Sequence, residues 1–421
     1  MFRKITLKNG LRIITVPQTN TQAVTVFTLI GTGSKYEKKN ISGISHFLEH
    51  LFFKGTKKRP TTLKVIEPLD KVGGIFNAFT SEECTGYYAK VEASQLDLAL
   101  DWASDIYLNS LFPPKEIEKE RMVIIEEINM YLDSPMAYIG EVWKSLLYGD
   151  QPAGWDILGN KETIENISRQ QILNYRKSQY TASNTIVCIA GNFKEDQIVE
   201  QIKKYFSKIS VSKSNKKAKV IERQTVPECL VNFKKTDQTH FHLGVRTYNL
   251  SSPKKYVLDV LSVILGEMMS SRLFTEVREK QGLAYYIKTE NEADPDVGFL
   301  VAKAGVDNKR VDKAILTVLK EFKKLTQKKI SAAELKKAKE NIKGRVSLGL
   351  EASDAKAFFY ASQEILEGKI LKPEEIFKRI DKVSVNDILK VAKDIFQPKN
   401  LNLAIIGPFE EEERFRKLLK L

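Results

Sequence analysis

The sequence predicts an α+β protein built from two homologous domains, each a mainly antiparallel sheet flanked by helices. Residues 167–193 (ISRQQILNYRKSQYTASNTIVCIAGNF) recur at 383–409 (VSVNDILKVAKDIFQPKNLNLAIIGPF) with a constant offset of 216. That offset pairs Ser168 with Ser384, Ile172 with Ile388, Asn184 with Asn400, Gly191 with Gly407 and Phe193 with Phe409. A period this long marks duplicated domains of about 200 residues rather than a solenoid, whose repeats run about 20 to 50. Predicted strands and helices also fall in blocks instead of alternating strictly. Between the copies lies a Lys- and Ser-rich stretch, SKISVSKSNKKAKVIERQ, with no apolar face long enough to fold alone. The expected organisation is therefore a domain over 1–206, an exposed connector over 207–224 and a second domain over 225–421.

The elements follow in chain order. FRKITLKNGLRIITVP alternates apolar and polar residues around Asn9-Gly10, a strong hairpin turn, and AVTVFTLIG (23–31) reads as a further strand. An apolar, helix-prone run over 44–53 comes next. Gly73-Gly74 opens a strand pair, IFNAFT and TGYYAKV, with Asn77 and Ala78 midway along its first member. Helical patterns dominate 93–148 and 254–272. Each copy of the repeat reads as a capped amphipathic helix, a turn and a short apolar strand ending at glycine.

The most informative residues are His46, Phe47, Leu48, Glu49 and His50, which spell His-x-x-Glu-His within the 44–53 run. On a helix, positions four apart share a face, so the imidazoles of His46 and His50 can converge on one metal ion. Glu49 is offset from that pair, which suits a general base rather than a ligand. The order is the inverzincin pattern. Such a pattern also arises by chance on a polar helix face. Here half of the four histidines (the others are His240 and His242) stand around one glutamate, among apolar neighbours where an unpaired imidazole would be costly.

A catalytic zinc usually has three protein ligands, so one more must come from elsewhere. EIEKERMVIIEEINMY (116–131) reads as one helix after Pro113 and Pro114, and offers Glu120, Glu126 and Glu127. Glu120 and Glu127 are two turns apart and share a face, whereas Glu126 points about 120° away from Glu120. Glu127 is taken as the ligand and Glu120 as a carboxylate one layer out that orients a ligand or the water. For Glu118 and Glu126 a solvated helix face is the better reading.

These segments, GISHFLEHLFFKGTKKRP, GGIFNAFTSEECTGYYAKV and EKERMVIIEEINMY, resemble the pitrilysin, insulinase and mitochondrial processing peptidase family of zinc metallopeptidases, in a bacterial processing-peptidase-like form. The resemblance covers nearly the whole chain. It implies one zinc per chain held by His46, His50 and Glu127, with Glu49 as general base and Glu120 in support; the separation 127 − 50 = 77 is typical of the family. In the second half, SSRLFTEVREKQGLAYYIKTE is similar to the segment whose arginine and tyrosine, seven apart, reach the substrate backbone, which falls on Arg278 and Tyr285. A tyrosine hydroxyl can donate to an oxyanion, and an arginine can hold a peptide carbonyl. Without the family, that pair would read as a surface charge and a rim aromatic.

The resemblance further implies that the strand bearing Asn77 and Ala78 is an edge to which an extended substrate adds, with main-chain hydrogen bonds giving affinity. It also implies a clamshell peptidase chamber of four homologous domains. This chain supplies half of such a chamber, and because it carries both the metal motif and the Arg/Tyr pair, a homodimer is expected. Near HFLEH the second half has LSVILGEMM (261–269), and it has Ala338 and Arg345 near Glu120 and Glu127, so only the first domain is expected to hold metal.

Composition bounds the alternatives. A net charge of +14 raises nucleic acid as a partner, but basic and acidic residues interleave and no binding motif is present, so a solvated Lys-rich surface is expected. Cys84, Cys188 and Cys229 are odd in number and widely spaced, which gives no disulfide framework and suits a reducing compartment. No stretch reaches 18 continuous apolar residues and no signal-peptide core is evident, so a cytoplasmic protein without membrane insertion is expected. The function these features imply is zinc-dependent endopeptidase cleavage of unstructured peptides. The rivals are a non-catalytic scaffold subunit of the same family and, on charge alone, a nucleic-acid-binding protein.

Overall fold

The computed structural model describes residues 2–421 and divides into two compact units. The first half of the chain supplies β1 (Arg3–Thr6), β2 (Arg12–Pro17), β3 (Ala23–Ile30), α1 (Ile44–Leu51), α2 (Thr62–Asp70), β4 (Ile75–Thr80), β5 (Thr85–Glu92), α3 (Leu96–Asn109), α4 (Pro114–Asp133), α5 (Pro135–Tyr148), α6 (Lys161–Asn166), α7 (Arg169–Gln179), β6 (Thr185–Gly191) and α8 (Glu195–Tyr205). The second half supplies β7 (Glu228–Phe233), β8 (Gln238–Arg246), α9 (Lys255–Ser262), β9 (Ala284–Ala293), β10 (Gly298–Asp307), α10 (Val311–Gln327), α11 (Ala332–Gly349), α12 (Ser353–Glu367), α13 (Pro373–Asp381), α14 (Val385–Ile395), β11 (Leu401–Gly407) and α15 (Glu412–Arg416). Two mainly antiparallel sheets flanked by helices result, as the sequence predicts.

The duplication is visible strand by strand. The first sheet runs β1-β2-β6-β3-β5-β4 and the second β7-β11-β8-β10-β9. In each, the strand from the repeat sits between a parallel and an antiparallel neighbour: β6 between β2 and β3, β11 between β7 and β8. The offset of 216 recurs without slippage, taking α7 onto α14 and β6 onto β11. Ser168 and Ser384 each cap their helix in a reciprocal box, with Gln171 and Asp387 respectively.

The units are not the contiguous halves expected from the sequence. Unit 1 comprises 2–129, 155–218 and 349–370; unit 2 comprises 130–154, 219–348 and 371–421. Helix α5 leaves the first half to cover the second sheet, and α12 leaves the second half to cover the first. The reason lies in the central strands. β6 and β11 are buried at every position, so both faces of each sheet need an apolar cover. In unit 1 one face packs on α1, α3 and α7 through residues such as Phe47, Trp102 and Ile172. On the other face Ala357, Tyr360 and Ala361 of α12 meet Ile14, Phe27, Leu29 and Cys188. In unit 2, Ile139, Val142 and Trp143 of α5 play that part against Val301, Ala404 and Ile406.

Residues 207–224 are irregular and mostly exposed, yet they do more than connect. Lys217 pairs with the buried Glu83 of unit 1. In unit 2, Gln224 donates to the Leu401 carbonyl at 3.0 Å and accepts from Asn402 at 2.9 Å. The helical pattern at 254–272 is also interrupted: α9 ends at Ser262 and continues as a π-helical turn, Val263–Glu267. Gly266 in that turn lets it lie close against β9, since a Cβ there would stand 2.6 Å from the Thr289 nitrogen.

Candidate metal centre

Helix α1 begins at Gly43, whose φ of +92° favours glycine and which has no side chain to cap the helix. Glu37 caps it instead. Its carboxylate accepts from the Gly43 and Ser45 backbone N–H groups at 2.7 and 2.8 Å. Burial pushes the Glu37 carboxyl up to about 8, against the lowering effect of these hydrogen bonds. Ser45 is tied in turn to the Tyr175 hydroxyl of α7 at 2.7 Å, and Tyr175 to Thr32 at 2.9 Å. The first turn of the helix bearing the histidines is thus held by Glu37 and, through Ser45, by Tyr175.

One turn on, the His46 and His50 rings stand edge to face with centroids 4.6 Å apart. Nε2 of each lies 3.6 Å from Oε2 of Glu127, which α4 brings up from 77 residues downstream. Donor atoms of the three residues all fall within 4.8 Å of one another. Tetrahedral ligands about 2.0–2.1 Å from a zinc ion would be roughly 3.4 Å apart, close to the observed spacing. Burial, and secondarily the neighbouring His50, lowers the His46 pKa to about 3, which leaves that imidazole neutral with a lone pair to offer.

A further layer supports the three. Nδ1 of His50 faces Oε2 of Glu120 at 3.1 Å, and the other Glu120 oxygen accepts from Lys54 at 2.6 Å. Burial alone would raise the Glu120 pKa, but the His50 and Lys54 hydrogen bonds win and hold it low. An ionised Glu120 accepting a hydrogen bond from Nδ1–H leaves Nε2 of His50 free for a ligand. Nδ1 of His46, by contrast, is buried without a hydrogen-bond partner among the described residues. Glu49, on the same helix but turned aside, accepts from the Thr80 hydroxyl at 2.6 Å; burial raises its pKa, and the Thr80 bond opposes the rise.

Unit 1 therefore gathers His46, His50, Glu127, Glu120 and Glu49. Asn77 and Ala78 lie on β4, which among the described residues pairs only with β5 and is an open edge of its sheet. The Asn77 side chain accepts from the Ala78 N–H at 2.9 Å within its own strand. Arg278 and Tyr285 belong to unit 2. Arg278 lies in a π-helical turn, Phe274–Glu279, with its guanidinium 4.8 Å from the Phe274 ring centre. Tyr285 is the second residue of β9 and is 78% exposed. Sequence reasoning missed Glu37, Thr80 and Lys54. Only Lys54 carried a signal, as a cation four residues after His50, just beyond the end of α1.

Comparison with known proteins shows the family. The sequence model described as "Insulinase (Peptidase family M16)" matches residues 12–161, and that described as "Peptidase M16 inactive domain" matches 166–342. An "uncharacterized zinc protease" of Bacillus subtilis is 33% identical over 97% of this chain and 98% of its own length. The chain belongs to peptidase family M16. A similarly described protein of Mycobacterium leprae is 32% identical over 99% of this chain and 94% of its own length. Among solved structures, a protease from Helicobacter pylori superposes with a TM-score of 0.89 at 27% identity, covering 97% of this chain and 99% of its own. A chain of complex III2 from Candida albicans shares the fold, with a TM-score of 0.85 at 20% identity over the full length of both. Membership places this chain in a family of zinc metallopeptidases. Among the described residues, no helix is long and apolar enough to cross a membrane.

Proposed function

We propose that this chain is a zinc-dependent endopeptidase that hydrolyses unstructured peptides, with one zinc per chain held by His46, His50 and Glu127. The observation that carries the reading is the convergence of two imidazole Nε2 atoms and one carboxylate oxygen at 3.6 Å spacings, a neutral-nitrogen and anionic-oxygen donor set suited to zinc. Zinc, when bound, supplies Lewis-acid polarisation of the scissile carbonyl and acidifies water. Glu49 takes the proton from the attacking water and returns it to the leaving amine, a role for which a carboxyl raised by burial is suited. Glu120 holds the His50 ring in orientation. The open edge of β4 at Asn77 and Ala78 receives the peptide as an added strand. Arg278 is assigned to a peptide carbonyl and Tyr285 to the oxyanion, and the working form is a homodimer.

A second reading, a non-catalytic core subunit, draws on the inactive-domain match of the second half and on the likeness to a complex III2 chain. The intact donor set of the first half favours the enzyme. The test is turnover of a quenched, unstructured peptide by wild type and by Glu49→Gln, with metal content measured on both. The enzyme reading expects close to one zinc per chain in each and a loss of about 10²- to 10⁴-fold in kcat for the variant. Equal turnover in the two, or none in wild type, would reject it.

A further inference from the structure

We propose that Thr80 is the positioning residue for Glu49, fixing the base from the end of the strand on which a peptide would dock. The inference rests on the peptidase reading above, but the contact that carries it is independent of any metal. The Thr80 hydroxyl donates to Oε2 of Glu49 at 2.6 Å. Among the described residues this is the side-chain hydrogen bond the Glu49 carboxylate receives, and it engages Oε2 rather than Oε1. Charge-assisted bonds of this length are among the stronger ones.

Thr80 is itself held on a rigid base. It is the last residue of β4, in register with Thr85 of β5. The turn beyond it is closed by the Ser81 N–H on the Cys84 carbonyl at 2.9 Å, with the Ser81 hydroxyl also bonded to Cys84. Two backbone bonds, from Ser34 to Ser81 at 3.1 Å and from Lys35 to Glu82 at 3.0 Å, clamp that turn to the segment after β3. The residues alternating with Thr80, Phe76 and Ala78, pack in the core that includes α1, while Phe79 faces the opposite way against Phe27 and Phe358. The hydroxyl therefore meets α1 because the pleat of β4 requires it. The strand that presents Thr80 has its other edge unpaired, so a peptide bonded along that edge would bear directly on the group that holds the base. A threonine merely satisfying its own hydroxyl at a strand end is the plainer alternative. It would predict no dependence of Glu49 on the residue at 80.

The experiment compares Thr80→Val, which keeps the shape and removes the donor, with Thr80→Ser, which keeps the donor. Thr80→Val is expected to lower kcat by about ten- to a hundredfold, the scale of a misplaced catalytic group, with KM, zinc content and melting temperature little changed. Thr80→Ser is expected to restore most of that loss. Crystal structures of zinc-loaded wild type and Thr80→Val read the inference without turnover: Glu49 should hold one orientation in the first and leave it in the second. An unmoved Glu49, a kcat equal to wild type in Thr80→Val, or a loss that tracks lost zinc or lost fold would overturn the assignment. A wild-type protein that cleaves nothing would count against the peptidase reading instead, and the crystallographic comparison would still decide the role of Thr80.

Discussion

The two units share an order of five strands, β2-β6-β3-β5-β4 in one and β7-β11-β8-β10-β9 in the other, and differ at the place of the donor set. In unit 1, α1 and α4 present Glu49 and Glu127 beside two histidines. Adding 218 to those two numbers gives Glu267 and Arg345, and in unit 2 these form an ion pair of 2.7 Å between the turn after α9 and helix α11. At the same offset His46 and His50 become Ile264 and Met268, the first fully buried and the second nearly so. One copy thus assembles a convergent donor set with a supporting layer. The other fills the place with apolar side chains and neutralises its remaining carboxylate with a guanidinium. A duplicated fold carries over its strand pairing, because every residue of the sheet depends on it. A site depends on four or five side chains, and can be kept in one copy and dismantled in the other.

The largest expected effect tests the traded helices. Expressed alone, residues 1–218 lack α12, so Ile14, Phe27, Leu29 and Cys188 lose their cover. That fragment should fail to give a cooperative melting transition and should bind a hydrophobic dye, whereas contiguous halves that folded independently would do neither. Next in size, Glu120→Ala should weaken zinc affinity by about ten- to a hundredfold in a chelator competition, since the His50 ring loses its orienting partner. An unchanged affinity would reduce Glu120 to a partner of Lys54.

A smaller effect concerns His242 of unit 2, buried against Trp143 with its Nδ1 unpartnered among the described residues. Burial first, and then Lys303, His240 and Lys288, hold its pKa well below 6.5. The folded state therefore binds fewer protons than the unfolded one below that value, and stability is lost as pH falls from about 6.5, by at most roughly 1.4 kcal/mol per unit from this group. His242→Gln should flatten that slope in denaturant titrations between pH 6.5 and 5; an unaltered slope would remove His242 from the account. The smallest effect is at the dismantled site. Arg345→Ala should cost under about 1 kcal/mol and leave zinc content untouched, as an ion pair with a half-exposed guanidinium contributes little.

Much of this was legible in the sequence, for identifiable reasons. The repeat survives because Ser168/Ser384 caps and the β6/β11 strands serve the same packing in both units. The histidines were legible because a helix turns their spacing into a common face, and Glu127 because α4 places it two turns from Glu120. The exchange of α5 and α12 was not: an amphipathic pattern shows that a helix has an apolar face, not which sheet that face will cover. Neither Glu37 nor Thr80 stood out, since each acts across a chain reversal that leaves no periodic trace. The connector proved more than a spacer because lysines in a basic stretch look alike until one, Lys217, meets a buried carboxylate.

The central claim is a single metal in the first unit, held by residues from two helices. Anomalous diffraction at the zinc edge from crystals of the zinc-loaded protein tests it most directly. The account predicts one strong peak per chain, about 2 Å from Nε2 of His46, Nε2 of His50 and a Glu127 oxygen, and none beside Glu267 and Arg345. No peak at the three donors, or a peak of equal strength in the second unit, would contradict it.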